Sequence, residues 1–190
     1  MNPLSFRALT ASALVSFPMA LLSANPQTPK ELLGVPFGSP ISIARCPTNT
    51  AKALRPCWIG RPFIYKPTGS LYGHVYLPNS NQRPAWAANA TFELTIGKSG
   101  VVQQLRVNTF NLLDRFNIAE SISRRFGEPQ VDELRHSETS WASWQSLEGY
   151  VEMRCQRECW IDFRTPPAQA SLEAELAARS KGDAKRPKSP

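Results

Sequence analysis

No acidic residue occurs between Leu32 and Phe92, a run of 61 residues. Imidazole is scarce too: His74 and His136 are the only histidines, which leaves few bases for acyl transfer or metal ligation. The chain has no Gly-x-Ser-x-Gly elbow, no phosphate-cradling glycine loop and no His-Glu-x-x-His run. The common hydrolase, nucleotide-binding and zincin signatures are therefore missing. None of the four cysteines sits in Cys-x-x-Cys, which argues against a thiol oxidoreductase. Nor does any apolar run reach the about 20 residues needed to cross a bilayer.

The longest such run, Ala8 to Leu22, follows Arg7 and precedes the small pair Ser23-Ala24. A positive start, a short apolar stretch and small residues are the plan of a secretory signal. Residues 1–24 are thus expected to be a cleaved signal peptide, leaving no membrane span, and 25–31 a polar leader. Residues 32–167 read as a single domain, and 168–190 as a tail that is helical and then disordered and basic. The expected location is periplasmic or secreted.

Export gives the cysteines a meaning. Cys46, Cys57, Cys155 and Cys159 are even in number, and in an oxidising compartment they read as two disulfides. Three pairings exist, and local chain geometry favours Cys155–Cys159 and Cys46–Cys57. The first pair brackets Gln156-Arg157-Glu158 between strand-like runs, and the second closes a loop with Pro47 and Pro56 just inside it. The spacings suit a structural zinc site poorly, so no metal and no cofactor are expected.

Charge is divided along the chain. Residues 25–92 carry seven Lys or Arg and one acid, Glu31, whereas 93–178 carry nine bases and thirteen acids. The last twelve residues hold five bases and Asp183. A field of one sign draws in anionic partners, and bases scattered through loops equally serve to keep a domain soluble; both readings stay open.

Alternation predicts a strand over Leu71–Leu77, with Tyr72, His74 and Tyr76 on one face, and a hairpin from Thr91–Ile96 to Val101–Val107 around Gly97-Lys98-Ser99-Gly100. Ile118, Ile122 and Phe126 recur at i, i+4, i+8 and predict a helix over Asn117–Phe126, stopped by Gly127 and Pro129. Three further strands are expected at Thr139–Trp144, Tyr150–Cys155 and Cys159–Arg164, with Pro166-Pro167 ending the domain. Ala168–Arg179 has good helix propensity. The fold class expected is α+β: an antiparallel sheet of about five to six strands, one main helix on a face, and a C-terminal tail helix.

The hairpin, the helix ending Arg125-Phe126-Gly127-Glu128-Pro129 and the Trp-bearing strand after it resemble small exported bacterial proteins of the β-lactamase-inhibitor or outer-membrane-assembly-lipoprotein type. The opening Leu33-Gly34-Val35-Pro36-Phe37-Gly38 with Cys46-Pro47 is similar to exported proteins of unknown function with that plan. The likeness covers residues 32–165 and implies a non-catalytic protein-binding module. The chain departs from the lipoproteins in lacking a Cys straight after the signal.

Candidate chemistry is thin. His136 lies in a polar loop beside Ser137, and Asp132, Glu133, Glu152, Glu158 and Asp162 are carboxylates by type only. Glu152 and Asp162 are expected on neighbouring strands, where Arg154, Arg157 or Arg164 can pair with them. The binding candidates are Arg45, Lys52, Arg55, Arg61, Lys66 and Arg83, together with Tyr72, His74 and Tyr76. Basic loops beside an aromatic strand face make a contact surface. The expected partner is an envelope protein or an anionic surface component, not nucleic acid. An envelope hydrolase using the carboxylates, and a structural accessory of a secretion or surface assembly, stay open as alternatives.

Overall fold

A computed structural model describes residues 31–78, 83–110, 114–135 and 140–183. The proposed signal peptide, nearly all of the leader, His136, Ser137 and the last seven residues lie outside the described residues. Ten strands follow one another as β1 (Ala44–Arg45), β2 (Cys57–Trp58), β3 (Phe63–Tyr65), β4 (Ser70–Tyr76), β5 (Thr91–Ile96), β6 (Val102–Thr109), β7 (Val131–Asp132), β8 (Ser140–Ser146), β9 (Gly149–Cys155) and β10 (Cys159–Arg164). Helix α1 (Arg115–Phe126) stands between β6 and β7, and α2 (Pro166–Asp183) follows β10.

All ten strands join one sheet in the order β1-β2-β4-β5-β6-β10-β9-β8-β7, with β3 paired to β4 beside β2. The β1–β2 pair is parallel and the other pairs are antiparallel. This corrects the expected α+β sandwich with five to six antiparallel strands: the described residues are mostly sheet, in one large mixed sheet with two helices. The physical reason is strand length. β1, β2, β3 and β7 have two or three residues each, too few for a period of two to register. β2 and β3 form on the edge of β4 and β7 on that of β8, and β1 adds to β2. Gly73 makes room for this crowding, since a Cβ there would meet the Pro62 Cα at 3.2 Å.

The sheet has one apolar and one polar face, as strict alternation dictates. Val75, Phe92, Leu94, Leu105, Val107, Ile161, Phe163, Val151, Met153 and Trp144 all belong to one buried core. The stripe Ile118, Ile122 and Phe126 of α1 is buried with them. The helix packs over β8 and β10. The indole N–H of Trp144 donates to the Ser123 hydroxyl at 3.0 Å, and the Phe126 and Phe163 rings lie 6.0 Å apart. Val35, Phe37 and Trp58 extend the same core from the N-terminal segment and the β2 edge.

Helix α1 ends at Gly127, whose φ of 86° suits glycine and whose N–H donates to the Ser123 carbonyl at 2.9 Å. It begins at Arg115, two residues before the expected start at Asn117, with Asp114 as its cap. Pro166 and Pro167 open α2, which begins two residues before the expected Ala168. Proline lacks only an N–H that the first turn leaves unpaired anyway.

Candidate functional site

The site is built on the polar face of the sheet and on its β1–β3 edge. Across the middle of the face, charges from five strands interlock. Tyr72 on β4 donates its hydroxyl to Glu93 on β5 at 2.6 Å, and His74 Nδ1 lies 3.7 Å from the other carboxylate oxygen. Arg106 on β6 grips Asp162 on β10 with Nε at 2.7 Å and Nη2 at 3.0 Å, a bidentate pair. Gln104 donates to the same Asp162 at 2.8 Å. Arg164 donates to Asp162 at 2.9 Å and to Glu152 on β9 at 3.1 Å, and Arg154 also bonds Glu152.

Register explains the ladder. Glu93 stands opposite Arg106, Arg106 opposite Asp162, and Asp162 opposite Glu152. The hydrogen bond to Asp162 raises the Arg106 pKa above its usual value. Tyr72 is pushed up to about 12, first by burial and then by its hydrogen bond to Glu93. The carboxylates Glu152 and Asp162, candidates by residue type for a hydrolase, are thus saturated by guanidinium groups.

The basic half of the chain behaves differently. Arg45 lies in β1, Lys52 in a 3-10 turn over Thr50–Lys52, and Arg55, Arg61 and Lys66 in connecting loops. All five are exposed, and none forms an ion pair among the described residues. Tyr72 and His74 are exposed on the polar face and Tyr76 is half-buried. Arg83 takes another role. Its guanidinium donates to the Leu77 and Pro78 carbonyls and lies 4.9 Å over the Phe92 ring. Burial lowers its pKa. It pins the end of β4 to the core instead of facing outward.

The sequence reading missed the neighbouring apolar strip. Strand β3 exposes all three of its side chains, with Phe63 72% and Ile64 66% accessible. Ile59 and Leu54 are exposed nearby in sequence. Phe63 pairs across to Tyr72, so two accessible aromatic rings stand side by side. Arg61 and Lys66 flank this strand in sequence. Among the described residues no strand pairs with the outer edge of β3. The signal was present as Phe63-Ile64-Tyr65 between Pro62 and Lys66, an apolar triplet inside a basic, proline-rich loop.

Both cysteine pairs are bonded, Cys46 to Cys57 and Cys155 to Cys159. The second spans a three-residue turn closed by the Gln156 N–H on the Glu158 carbonyl at 3.0 Å. Two disulfides with no free cysteine fit an oxidising compartment. Among the described residues no helix is long and apolar enough to cross a membrane. No protein-family model, no curated protein and no solved structure matches this chain, so the likeness of the Phe126-Gly127-Glu128-Pro129 stretch rests on that motif alone.

Proposed function

We propose that this is an exported, non-catalytic binding protein of the envelope that takes an extended acidic segment of a partner protein along the β3 edge. The observation that carries this reading is strand β3, three accessible apolar side chains on an unpaired sheet edge flanked by Arg61 and Lys66. An open apolar edge strand is a hazard that proteins ordinarily blunt with charge, proline or cover. Where it is kept, it offers main-chain hydrogen bonds and side-chain contacts to an added strand. Charge selects the occupant. Arg45, Lys52, Arg55, Arg61 and Lys66 have no acid nearby in sequence and no ion pair among the described residues. An acidic segment supplies what they lack, and the field of the basic half speeds its arrival.

The test uses extended peptides that alternate apolar and acidic residues, with lysine-swapped versions as controls, and follows association by fluorescence polarisation. Acidic peptides bind and weaken as salt rises, because exposed charges are screened over ~8–10 Å. Arg55→Glu with Arg61→Glu slows association more than it speeds release. Phe63→Ala weakens binding about tenfold while leaving the fold intact. Equal binding of the lysine-swapped peptides, or indifference to both salt and the charge reversal, overturns the reading.

A further inference from the structure

A second site stands at the other end of the polar face, several strands away from β3. Trp141 on β8 is the register partner of Arg154 on β9, and Arg154 is the partner of Trp160 on β10. The two indoles therefore flank one guanidinium on the same face, roughly 10 Å apart at the backbone, two strand spacings. They line an open cleft of about 720 Å³ together with Ser140, Gln156, Arg157 and Glu158. Trp160 is 47% accessible, although its strand neighbours Cys159 and Ile161 are fully buried. A large indole at an outward position is a use of surface that packing does not require.

The side chains in the cleft are arranged in a restrictive way. The Trp160 indole N–H donates to Glu158 at 2.8 Å, and the Trp141 indole N–H donates to Glu133. Both ring N–H groups are thus spent, and what the indoles present to a ligand is their faces. Beside Glu158, the charged groups that line the cleft are Arg154, whose Nε is bonded to Glu152, and Arg157; both carry donors and no acceptors. Arg157 forms no ion pair among the described residues and stands exposed at the tip of the turn. The Cys155–Cys159 disulfide closes that turn across a Cα–Cα distance of 4.1 Å, which limits the ordering needed on binding.

We infer that the Trp141–Arg154–Trp160 cleft binds an acidic saccharide, with sugar rings stacked on the indole faces and an anionic group held by Arg157, the cleft guanidinium that forms no ion pair among the described residues. The ligand has to bring flat C–H faces, acceptors in plenty and negative charge, and a chain of acidic pyranoses has all three. A proline-rich peptide fits the aromatic walls but not the donors. Such peptides need indole N–H or hydroxyl groups for their carbonyls, and here both indole N–H groups are occupied. Binding here is independent of the β3 edge, and neither reading requires the other.

Tryptophan fluorescence of the oxidised protein, titrated with galacturonate oligomers and with heparin-derived oligosaccharides, tests this. Neutral maltose oligomers and a proline-rich peptide serve as comparisons. At least one acidic series changes the emission with saturation. Trp160→Ala and Arg157→Ala each weaken it about tenfold, while Phe63→Ala leaves it unchanged. Both substituted side chains are exposed, so the circular dichroism and the unfolding midpoint stay close to those of the parent. No response to either acidic series overturns the inference. So does tighter binding of the proline-rich peptide, equal binding of the neutral oligomers, or unchanged affinity in both variants.

Discussion

At the β6–β10–β9 side of the sheet, Arg106, Asp162, Arg164 and Glu152 hold one another through hydrogen bonds of 2.7 to 3.1 Å. At the β1–β4 side, Arg45, Lys52, Arg55, Arg61 and Lys66 have no such partners among the described residues. The strands differ in the same sense. β6, β8, β9 and β10 run for six to eight residues in continuous register, whereas β1, β2 and β3 have two or three and are joined by proline-bearing loops. One half of the sheet satisfies itself; the other ends in unsatisfied edge, charge and apolar surface. The contrast places the interlocked charges and the open edge in different parts of one fold, with the Cys46–Cys57 bond tying the segment after β1 to β2.

The largest expected effect tests this difference through packing. Trp144 is fully buried under α1 and bonded to Ser123. Trp144→Ala should therefore cost about 3–5 kcal/mol by the large-to-small penalty. Phe63→Ala, the matching truncation at the open edge, should cost less than about 0.5 kcal/mol because its ring is already in water. Chemical denaturation of the two variants checks both values. Similar losses in the two would erase the distinction between the halves.

Charge gives the next effect. Asp162→Ala removes the hub of the ladder and leaves Arg164, nearly buried, without its closest partner. The expected loss is roughly 3 kcal/mol, the low end for breaking a buried pair because Arg106 is about a third exposed. Arg61→Ala should stay within about 0.5 kcal/mol, as for a surface charge with no partner. An Asp162 variant as stable as the parent would mean that the ladder is ornamental.

How much of this could be read from the chain differs between the halves for a physical reason. β4, β5, β6, β8, β9 and β10 carry enough alternation for their faces to be assigned, and the α1 stripe and both disulfides follow from local spacing. β1, β2, β3 and β7 exist only because a neighbour offers hydrogen bonds, and no local pattern encodes that. The exposure of Arg45, Lys52, Arg55, Arg61 and Lys66 was legible from their proline-rich surroundings. The inward use of Arg83 was not, since it depends on the Phe92 ring arriving from another strand. The Trp cleft was half legible: alternation with Cys159 and Ile161 puts Trp160 on the polar face, but its meeting with Arg154 and Trp141 needs the register of three strands.

The smallest effect sits on the boundary between the two halves, at Tyr72. Its phenol is pushed up to about 12 by burial and by donating to Glu93. The folded protein therefore holds this proton after an ordinary tyrosine has lost it. The stabilisation from that proton is complete below pH ~10, the value for a free phenol. It is lost as pH rises from there to about 12, because the unfolded chain binds fewer protons across that window. Tyr72 is 38% accessible, so solvent screening keeps the effect small. Tyrosinate absorbance should show a late-titrating phenol, and Tyr72→Phe should remove that step. Glu93→Gln should lower it only part of the way, since burial is the larger cause and remains. A late step that survives Tyr72→Phe would detach the tyrosine from the ladder and leave it, like Phe63, a member of the open edge.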